Sequence, residues 1–299
     1  MLIAIMGPTA SGKSSLAEWV AEEWNLPLIS ADAFMVYRGL DIGTNKPADR
    51  TRYSLLDVAD PREQFGLGEW LRQVYGVLTD RGAVVVGGTG LYIRALFEQW
   101  TDLQGPPDPK LRAELEERIQ REGLPALFAE LSQQDPEGAA RVDPHNPVRV
   151  RRALERLAVP NPLELPPLPA VPTLKLGIDC PVPALDAAIE TRCHQMLAGG
   201  WVEEVRALLE NGVETGAPGM KAIGYREIAE TIQTGKGAES LAPVLVTLTR
   251  QYAKRQRTWM RSEPNLNPLS IEGPQQNVSD GLKWHVRTFI EQKNKQATK

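Results

Sequence analysis

The chain opens on a short apolar run that leads directly into a phosphate-binding motif. Residues 2–6 read LIAIM, residues 7–14 read GPTASGKS, and an amphipathic segment follows over 13–24. A buried strand, a G-x-x-x-x-G-K-S loop and a helix in this order form a P-loop, whose backbone N–H groups and helix N-terminus bind phosphate. Lys13 supplies a mobile charge for the terminal phosphate, and the Ser14 hydroxyl is suited to hold Mg²⁺. The motif therefore predicts binding of a di- or triphosphate, without indicating which one.

Further apolar segments repeat the alternation of strand and helix in the first third of the chain. Short apolar runs at 27–30, 55–58 and 83–87 are separated by helical or loop segments. The run at 83–87 is almost continuously apolar, which is typical of a parallel strand buried on both faces. The alternation predicts an α/β fold in which a doubly wound parallel sheet carries the P-loop.

The rest of the chain is mainly helical in its apolar spacing. The apolar spacing over residues 108–158 predicts a helical insertion, and a proline-rich stretch follows it. A strand at 174–178 returns to the sheet, and helices are predicted over 183–262 and 276–292. We expect three segments: the first part of the P-loop core over 1–107, the helical insertion over 108–158, and the return to the core with a helical C-terminal region over 173–299.

Composition and charge exclude several classes of protein. The chain has 299 residues, of which 42% are hydrophobic and 24% charged, as in ordinary globular proteins. No apolar run is long enough to span a membrane, so no membrane partner is expected. Cys180, Cys193 and the histidines do not show the spacing of a zinc site. We expect a reduced, cytoplasmic, monomeric protein with no structural metal.

Two basic runs stand out in a chain whose net charge is -4. Residues 148–156 read VRVRRALER, and a stripe along one predicted helix contains Arg250, Lys254, Arg257 and Arg261. Either run alone is explained as well by a solvated helix face. Two such runs in an acidic protein favour a polyanion as partner, bound locally rather than indiscriminately.

Polar residues follow two of the predicted strands where a parallel sheet binds ligands. Asp32 follows the strand at 27–30, and Thr89 lies in the GGTG turn after the strand at 83–87. Both are therefore expected at the crevice that the P-loop borders. Arg226, in MKAIGYRE, is of a type suited to bidentate phosphate binding. Capping of a turn by Asp32 and a surface charge at Arg226 are the plain structural alternatives.

No apolar strand ends in a clear Walker B aspartate, and the run Leu55–Val58 is the nearest candidate. This favours a P-loop that holds a leaving diphosphate over one that presents a transferable γ-phosphate.

The ordered motifs together resemble those of bacterial tRNA dimethylallyltransferases. The matching segments span roughly 1–262 and read, in order, GPTASGKS, ISAD…VYRGLDIGTNKP, VVVGGTGLYIRAL, DP…NPVRVRRALE, MKAIGYRE and TRQYAKRQRTWMR. The resemblance implies a P-loop α/β core with a helical insertion, Mg²⁺ as cofactor, and dimethylallyl diphosphate and the tRNA anticodon stem-loop as partners. The prenyl group would pass to the exocyclic amine of the adenine just 3′ of the anticodon.

The resemblance also implies roles for individual residues. Asp32 takes or orients the proton of the attacking amine, Thr89 contacts the target nucleotide, and Ser14 binds the metal. The residues implied to bind the diphosphate are Gly7, Pro8, Thr9, Ala10, Ser11, Gly12, Lys13, Ser14 and Arg226. Those implied to bind tRNA are Asp32, Ala33, Phe34, Met35, Thr89, Arg112, Val148, Arg149, Val150, Arg151 and Arg152.

The chain departs from the family pattern after its aspartate, where Asp-Ser-x-Gln is usual and Asp32-Ala33-Phe34-Met35 is present. A hydroxyl and an amide that read the target nucleotide are thus absent, and altered base recognition is expected. Two alternative functions stay open. One is an isopentenyltransferase that acts on free adenine nucleotide, against which the insertion and the basic stripe argue. The other is a P-loop small-molecule kinase, which would bind and turn over ATP.

Overall fold

The protein is described by a computed structural model that covers residues 1–100, 103–105, 108–160, 162–235, 240–274 and 278–297. Two compact units are present: Met1–Gln99 with Pro166–Lys299, and Trp100–Leu165. The domain boundary predicted at 107 lies outside the described residues, and the predicted domain limits stay a prediction.

A parallel sheet forms the centre of the first unit. Its strands are β1 (Leu2–Met6), β2 (Leu28–Ser30), β3 (Tyr53–Ser54), β4 (Ala83–Gly87), β5 (Thr173–Asp179) and β6 (Leu266–Ser270). They lie in the order β3-β2-β4-β1-β5-β6, and every neighbouring pair is parallel. The predicted α/β fold with a parallel sheet is confirmed.

The helices of this unit are α1 (Lys13–Glu23), α2 (Leu67–Val77) and α3 (Gly90–Phe97), which precede the second unit in the chain. Those after it, numbered from α8 because four helices of the second unit come between, are α8 (Val182–Ala198), α9 (Trp201–Glu210), α10 (Tyr225–Thr234), α11 (Leu241–Arg261) and α12 (Asp280–Ala297). Within the described ranges, no helix is both long and apolar enough to cross a membrane.

The sheet positions the site because its strands are parallel. Ile3, Ile5 and Val84 pack on one face against α1 and α12 in a continuous apolar cluster, and the alternate residues point to the opposite face. The carboxyl ends of β1, β2 and β4 lie at one edge, where they lead into the P-loop, the Asp32 segment and the Thr89 turn.

Two strands differ from the sequence prediction. The strand expected at 55–58 is wrong: β3 ends at Ser54, and Leu55 and Asp57 have φ values of 68° and 56°. This left-handed backbone ends the strand and turns the Asp57 carboxylate to Lys46, at 2.5 Å. Strand β6 was not predicted from the sequence, because it contains Pro268 and proline argues against a strand. Proline is tolerated there because β6 is an edge strand.

The second unit consists of helices α4 (Pro109–Glu122), α5 (Leu124–Gln134), α6 (Pro136–Ala139) and α7 (Pro147–Ala158). Asp108, Asp135 and Asn146 cap α4, α6 and α7 through their side-chain oxygens. Leu127, Leu131 and Val150 are fully buried at the centre of its own apolar cluster.

Candidate active site

The P-loop has the backbone that its motif predicts. Ala10 and Gly12 take positive φ values of 65° and 85°, and α1 begins at Lys13. A Cβ placed on Gly7 would lie 2.6 Å from the Ser11 hydroxyl, so the loop closes too tightly for a side chain there.

Helices from the far end of the chain hold Thr9 of this loop on two sides. Its backbone N–H donates to Oε1 of Gln256 in α11 at 2.8 Å. Its hydroxyl accepts a hydrogen bond from Nη2 of Arg192 in α8. Gln256 is buried, 5% exposed, so its hydrogen bond fixes the position of the loop against α11.

A cavity of about 430 Å³ lies beside the loop and is called the P-loop cavity below. Lys13, Ser14, Asp32 and Arg192 line it together. The structure thus brings the carboxylate predicted from the second strand to the phosphate loop. A hydroxyl and a carboxylate at one cavity are oxygen donors of the kind that Mg²⁺ takes alongside substrate phosphates, so these residues fit the metal.

Two cations face each other in the P-loop cavity. Burial lowers the pKa of Lys13 to about 8, the positive charge of Arg192 contributes to this shift, and Asp32 opposes it. Burial also lowers the pKa of Arg192. The Arg192 Nε is buried and has no hydrogen-bond partner among the described residues. Two desolvated cations, one with an unmatched donor, are arranged for an anion with more than one charge.

Arg192 was missed by sequence reasoning because it stands in the middle of α8, with no glycine turn or motif to mark it. Arg226, predicted to neutralise the diphosphate, lies elsewhere. Its side chain is 70% exposed and pairs with Glu230 at 3.2 Å. It lines a different cavity with Lys221 and Arg255. Arg226 follows the Gly224 turn onto a solvent-facing side of α10 and does not line the P-loop cavity, whereas Arg192 does. The role of Arg226 at the diphosphate stays a prediction.

Asp32 caps a turn, which was one of the roles considered from sequence; its catalytic role stays a prediction. Its Oδ1 accepts the N–H groups of Phe34 at 2.9 Å and Met35 at 3.2 Å, which caps the turn after β2. No hydrogen bond among the described residues reaches its Oδ2. One carboxylate oxygen is therefore used to fix the group while the other is open to the cavities.

A second cavity of about 200 Å³ adjoins the first. Phe34, Met196, Trp201 and Ile223 give it a more apolar lining. The residues that line both cavities, and so mark their junction, are Thr9, Asp32, Thr44, Asn45, Arg192 and Tyr252.

Thr89 is linked to this junction through Tyr252. It is the N-cap residue of α3 and lies near the Tyr252 hydroxyl, as does Gln256. Burial first, and then the charge of Asp32, raise the pKa of Tyr252, so its hydroxyl stays protonated. α11 thus reaches both the P-loop, where Gln256 accepts from Thr9, and the Thr89 turn, which lies near Tyr252.

Comparison with known proteins decides the family. A sequence model described as IPP transferase matches residues 35–263, which is most of the chain and contains Met35, the Thr89 turn and α11. The chain belongs to the IPP transferase family. The resemblance inferred from the ordered motifs is confirmed.

Members of the IPP transferase family match nearly the whole chain. A Thermomicrobium roseum protein named tRNA dimethylallyltransferase is 39% identical over 91% of this chain and 87% of its own length. A Magnetococcus marinus protein of the same name is 38% identical over 96% of this chain and 98% of its own. The solved structure of the Bacillus halodurans tRNA isopentenylpyrophosphate transferase is 30% identical, has a TM-score of 0.71, and covers 99% of this chain and 97% of that one.

In this IPP transferase, much of the basic stripe of α11 is already neutralised. Arg250 pairs with Glu190 at 2.9 Å, and Arg257 lies 3.9 Å from Asp179. Lys254 and Arg261 are exposed. The stripe is therefore uniform in sequence, but two of its four charges, Arg250 and Arg257, are paired with carboxylates.

The basic run of the second unit is also organised around a carboxylate. Glu155, 2% exposed, accepts two hydrogen bonds from Arg112, at 2.8 and 3.1 Å, and one from Arg152 at 3.2 Å. Arg151 Nε lies 3.5 Å from it. Burial alone would raise the pKa of Glu155, but Arg112 and Arg152 outweigh it and the pKa is lowered. These arginines form a charge-paired cluster and are not free side chains.

The predicted RNA contacts of α7 divide by exposure. Val148 is 60% exposed and Arg149 is exposed, whereas Val150 is fully buried. The side chain of Val150 packs in the core of the second unit, so only its backbone is left for the predicted contact, which stays a prediction. Arg149 has no ion-pair partner within the described part of the chain.

Proposed function

We propose that this chain transfers a dimethylallyl group from dimethylallyl diphosphate to the exocyclic amine of the adenine 3′-adjacent to the anticodon in tRNA, releasing diphosphate. The observation that carries the proposal is the junction between two cavities at Asp32. On one side lies a P-loop with two cations, and on the other a more apolar cavity. The names of relatives 38–39% identical to the chain support the same reaction.

The diphosphate of the donor fits the P-loop cavity. The backbone of the loop, Lys13 and Arg192 surround a space for a polyanion, and the unmatched Arg192 Nε supplies a further donor. Negative charge develops on the diphosphate as the allylic C–O bond breaks, so cations fixed beforehand favour that step. Ser14 would hold Mg²⁺, which would supply additional neutralisation of the diphosphate oxygens.

Asp32 would orient the acceptor and take its proton. The adenine amine is a weak nucleophile, so its position and the removal of its proton both matter. The hydrogen bonds from Phe34 and Met35 hold Oδ1, and the carboxylate reaches both cavities. The proton leaves the amine nitrogen for Oδ2 as the new C–N bond forms.

The acceptor adenine would enter after extrusion from the anticodon loop, because a stacked base cannot reach a cavity of this kind. We propose that Ala33, Phe34 and Met35 contact it through apolar surface, in place of the hydroxyl and amide usual in the family. Val148 and Arg149 are the exposed candidates for RNA contact in the second unit. Arg112, Arg151 and Arg152 are already paired with Glu155. They would therefore attract RNA through their positive charge rather than through unpaired N–H groups.

The acceptor is tested directly with labelled dimethylallyl diphosphate. Wild-type protein is incubated with Mg²⁺ and either total tRNA or AMP, and a parallel reaction contains ATP in place of the donor. We expect label in tRNA at the adenine next to the anticodon and none in AMP. Label in AMP would instead support the free-nucleotide enzyme, and ATP turnover the kinase.

We also propose a cytoplasmic location, since the proposed acceptor is tRNA. A monomeric state stays a prediction, which light scattering on the purified chain tests.

A further inference from the structure

The loop Asp41–Asn45 forms a wall shared by both cavities, because Thr44 and Asn45 line each of them. At its end the backbone is left-handed: Asn45 has a φ of 58°, a conformation that asparagine tolerates better than most residues. Whatever fixes this loop therefore sets the shape of the site.

Glu204 of α9 binds three consecutive backbone N–H groups of this loop. Its Oε2 accepts from Asp41 at 2.8 Å and Ile42 at 2.6 Å, and its Oε1 accepts from Gly43 at 3.3 Å. Successive N–H groups that converge in this way form a concave anion-binding site. Here the anion is a side chain of the protein itself, so the loop is held by a carboxylate and not by substrate.

The same carboxylate also contacts a second segment that borders the second cavity. The hydroxyl of Tyr225, at the start of α10, donates to Glu204 Oε1 at 2.6 Å. Burial and the charge of Glu204 raise the pKa of Tyr225, which keeps this hydroxyl a donor. Tyr225 directly follows the segment 221–224, of which Lys221, Ala222 and Ile223 line the second cavity.

Side-chain packing also connects α9 with the loop and with the 221–225 segment. The indole of Trp201, 2% exposed, lies against Gly43 and Gly224, and a Cβ on either glycine would overlap it. One turn of α9 thus contacts both segments, Trp201 by packing and Glu204 by hydrogen bonds.

We propose that Glu204 is a positioning residue for the acceptor side of the site: it holds Thr44 and Asn45 against Asp32 and fixes the 221–225 segment at the same time. It touches no reacting atom. The inference rests on the proposed transfer reaction for its kinetic effect, while the geometric part of it stands alone.

Glu204→Gln is the sharpest change because it keeps the shape. A carboxylate offers two acceptor oxygens, whereas an amide offers one and places an NH₂ where the other stood. If the amide oxygen of the glutamine accepts from Asp41 and Ile42, its NH₂ faces the N–H of Gly43, and a donor meets a donor. The matched control is Glu203→Gln, since Glu203 is its neighbour on α9 but is 67% exposed and lies 3.8 Å from Arg206.

We expect Glu204→Gln to lower kcat/KM for tRNA by about tenfold to 10²-fold, as small misplacements of a site commonly do. The dissociation constant for inorganic diphosphate, which reports on the P-loop alone, should change by less than about twofold, as should every constant of Glu203→Gln. Hydrogen exchange at the amides of residues 41–43 should become faster in Glu204→Gln only. Tyr225→Phe removes one donor from the same carboxylate and should give a smaller loss of the same kind.

A purely structural role predicts a different outcome: a lower Tm with transfer and diphosphate binding either unchanged or reduced together. Wild-type transfer kinetics in folded Glu204→Gln and Tyr225→Phe, or unchanged amide exchange at 41–43, would overturn the inference. Failure of the wild-type protein to prenylate tRNA would instead reject the proposed function, and the exchange measurement would still decide whether Glu204 holds the loop.

Discussion

Arg192 donates a hydrogen bond to the side chain of Thr9, a residue 183 positions earlier in the chain, so that α8 completes the phosphate loop formed after β1. The P-loop motif supplies one cation, Lys13, and this contact supplies a second. A leaving group that carries several negative charges is better matched by such a pair than by the motif alone.

Replacing Arg192 with alanine should lower the rate of prenyl transfer by about 10² to 10³, the usual effect of losing one charge-stabilising donor. The exposed Arg226→Ala is the matched control and should retain most of the activity. Single-turnover transfer with saturating tRNA measures both. A larger loss in Arg226→Ala than in Arg192→Ala would return the diphosphate role to Arg226.

Lys13→Ala should reduce transfer by roughly 10² or more, because the mobile charge that meets the leaving group is removed. Affinity for tRNA should stay near that of the wild-type protein in a filter-binding assay. If tRNA binding collapses and the transfer rate does not, Lys13 does not act on the diphosphate.

The lowered pKa of Lys13, about 8, predicts a pH dependence of donor binding. The diphosphate binds the protonated amine, so affinity is constant below the pKa and falls as the pH rises through it. KM for the donor should increase about tenfold between pH 7 and pH 9, as loss of one proton requires.

Lys13→Arg provides the comparison, since a guanidinium stays charged over this range. Ionisation of the diphosphate affects both proteins equally, so the ratio of their KM values isolates Lys13. A ratio independent of pH would contradict the assignment.

Asp32→Asn keeps the hydrogen bonds from Phe34 and Met35 but cannot accept a proton. Turnover should fall by roughly 10² to 10⁴, with much smaller changes in the binding of either substrate. Pre-steady-state rates measure the chemical step, and equilibrium binding measures the affinity for each substrate. Near-normal turnover would leave Asp32 as a turn cap and the base unidentified.

The exposed charges of α11 should account for any RNA binding by that helix. Lys254→Ala with Arg261→Ala should flatten the plot of log affinity for tRNA against log salt by roughly 0.7 for each phosphate that the protein no longer neutralises. Arg250→Ala with Arg257→Ala should change the slope less, because these side chains pair with Glu190 and Asp179. Equal effects of the two double variants would contradict this division, and no effect of either would leave α11 a solvated face.

The sequence predicted correctly those elements whose conformation depends on residues close together in the chain. The P-loop, the continuous apolar strands β1 and β4, and the placement of Asp32 after β2 follow from glycine positions and apolar spacing within a few residues. Even so, the strand predicted at 55–58 failed, because Leu55 and Asp57 adopt left-handed backbone that apolar content alone does not reveal.

The basic runs show that local sequence does not predict which charged side chains are paired. The spacing of Arg250, Lys254, Arg257 and Arg261 predicts that they share a helix face, and all four lie on the single helix α11. Which of them is free depends on carboxylates of other elements, Glu190 of α8 and Asp179 of β5. Glu155 likewise gathers Arg112 from another helix of the second unit.

By itself, the sequence determined the phosphate loop, the parallel α/β core, the carboxylate beside the loop and the family to which the chain belongs. Only the tertiary structure decided that Arg192 and not Arg226 faces the loop, that Val150 is buried, and that Glu204 holds the wall formed by Asp41–Asn45. The physical reason is range: helix and strand periodicity act over a few residues, whereas a hydrogen bond or ion pair joins whatever side chains packing brings within about 3 Å.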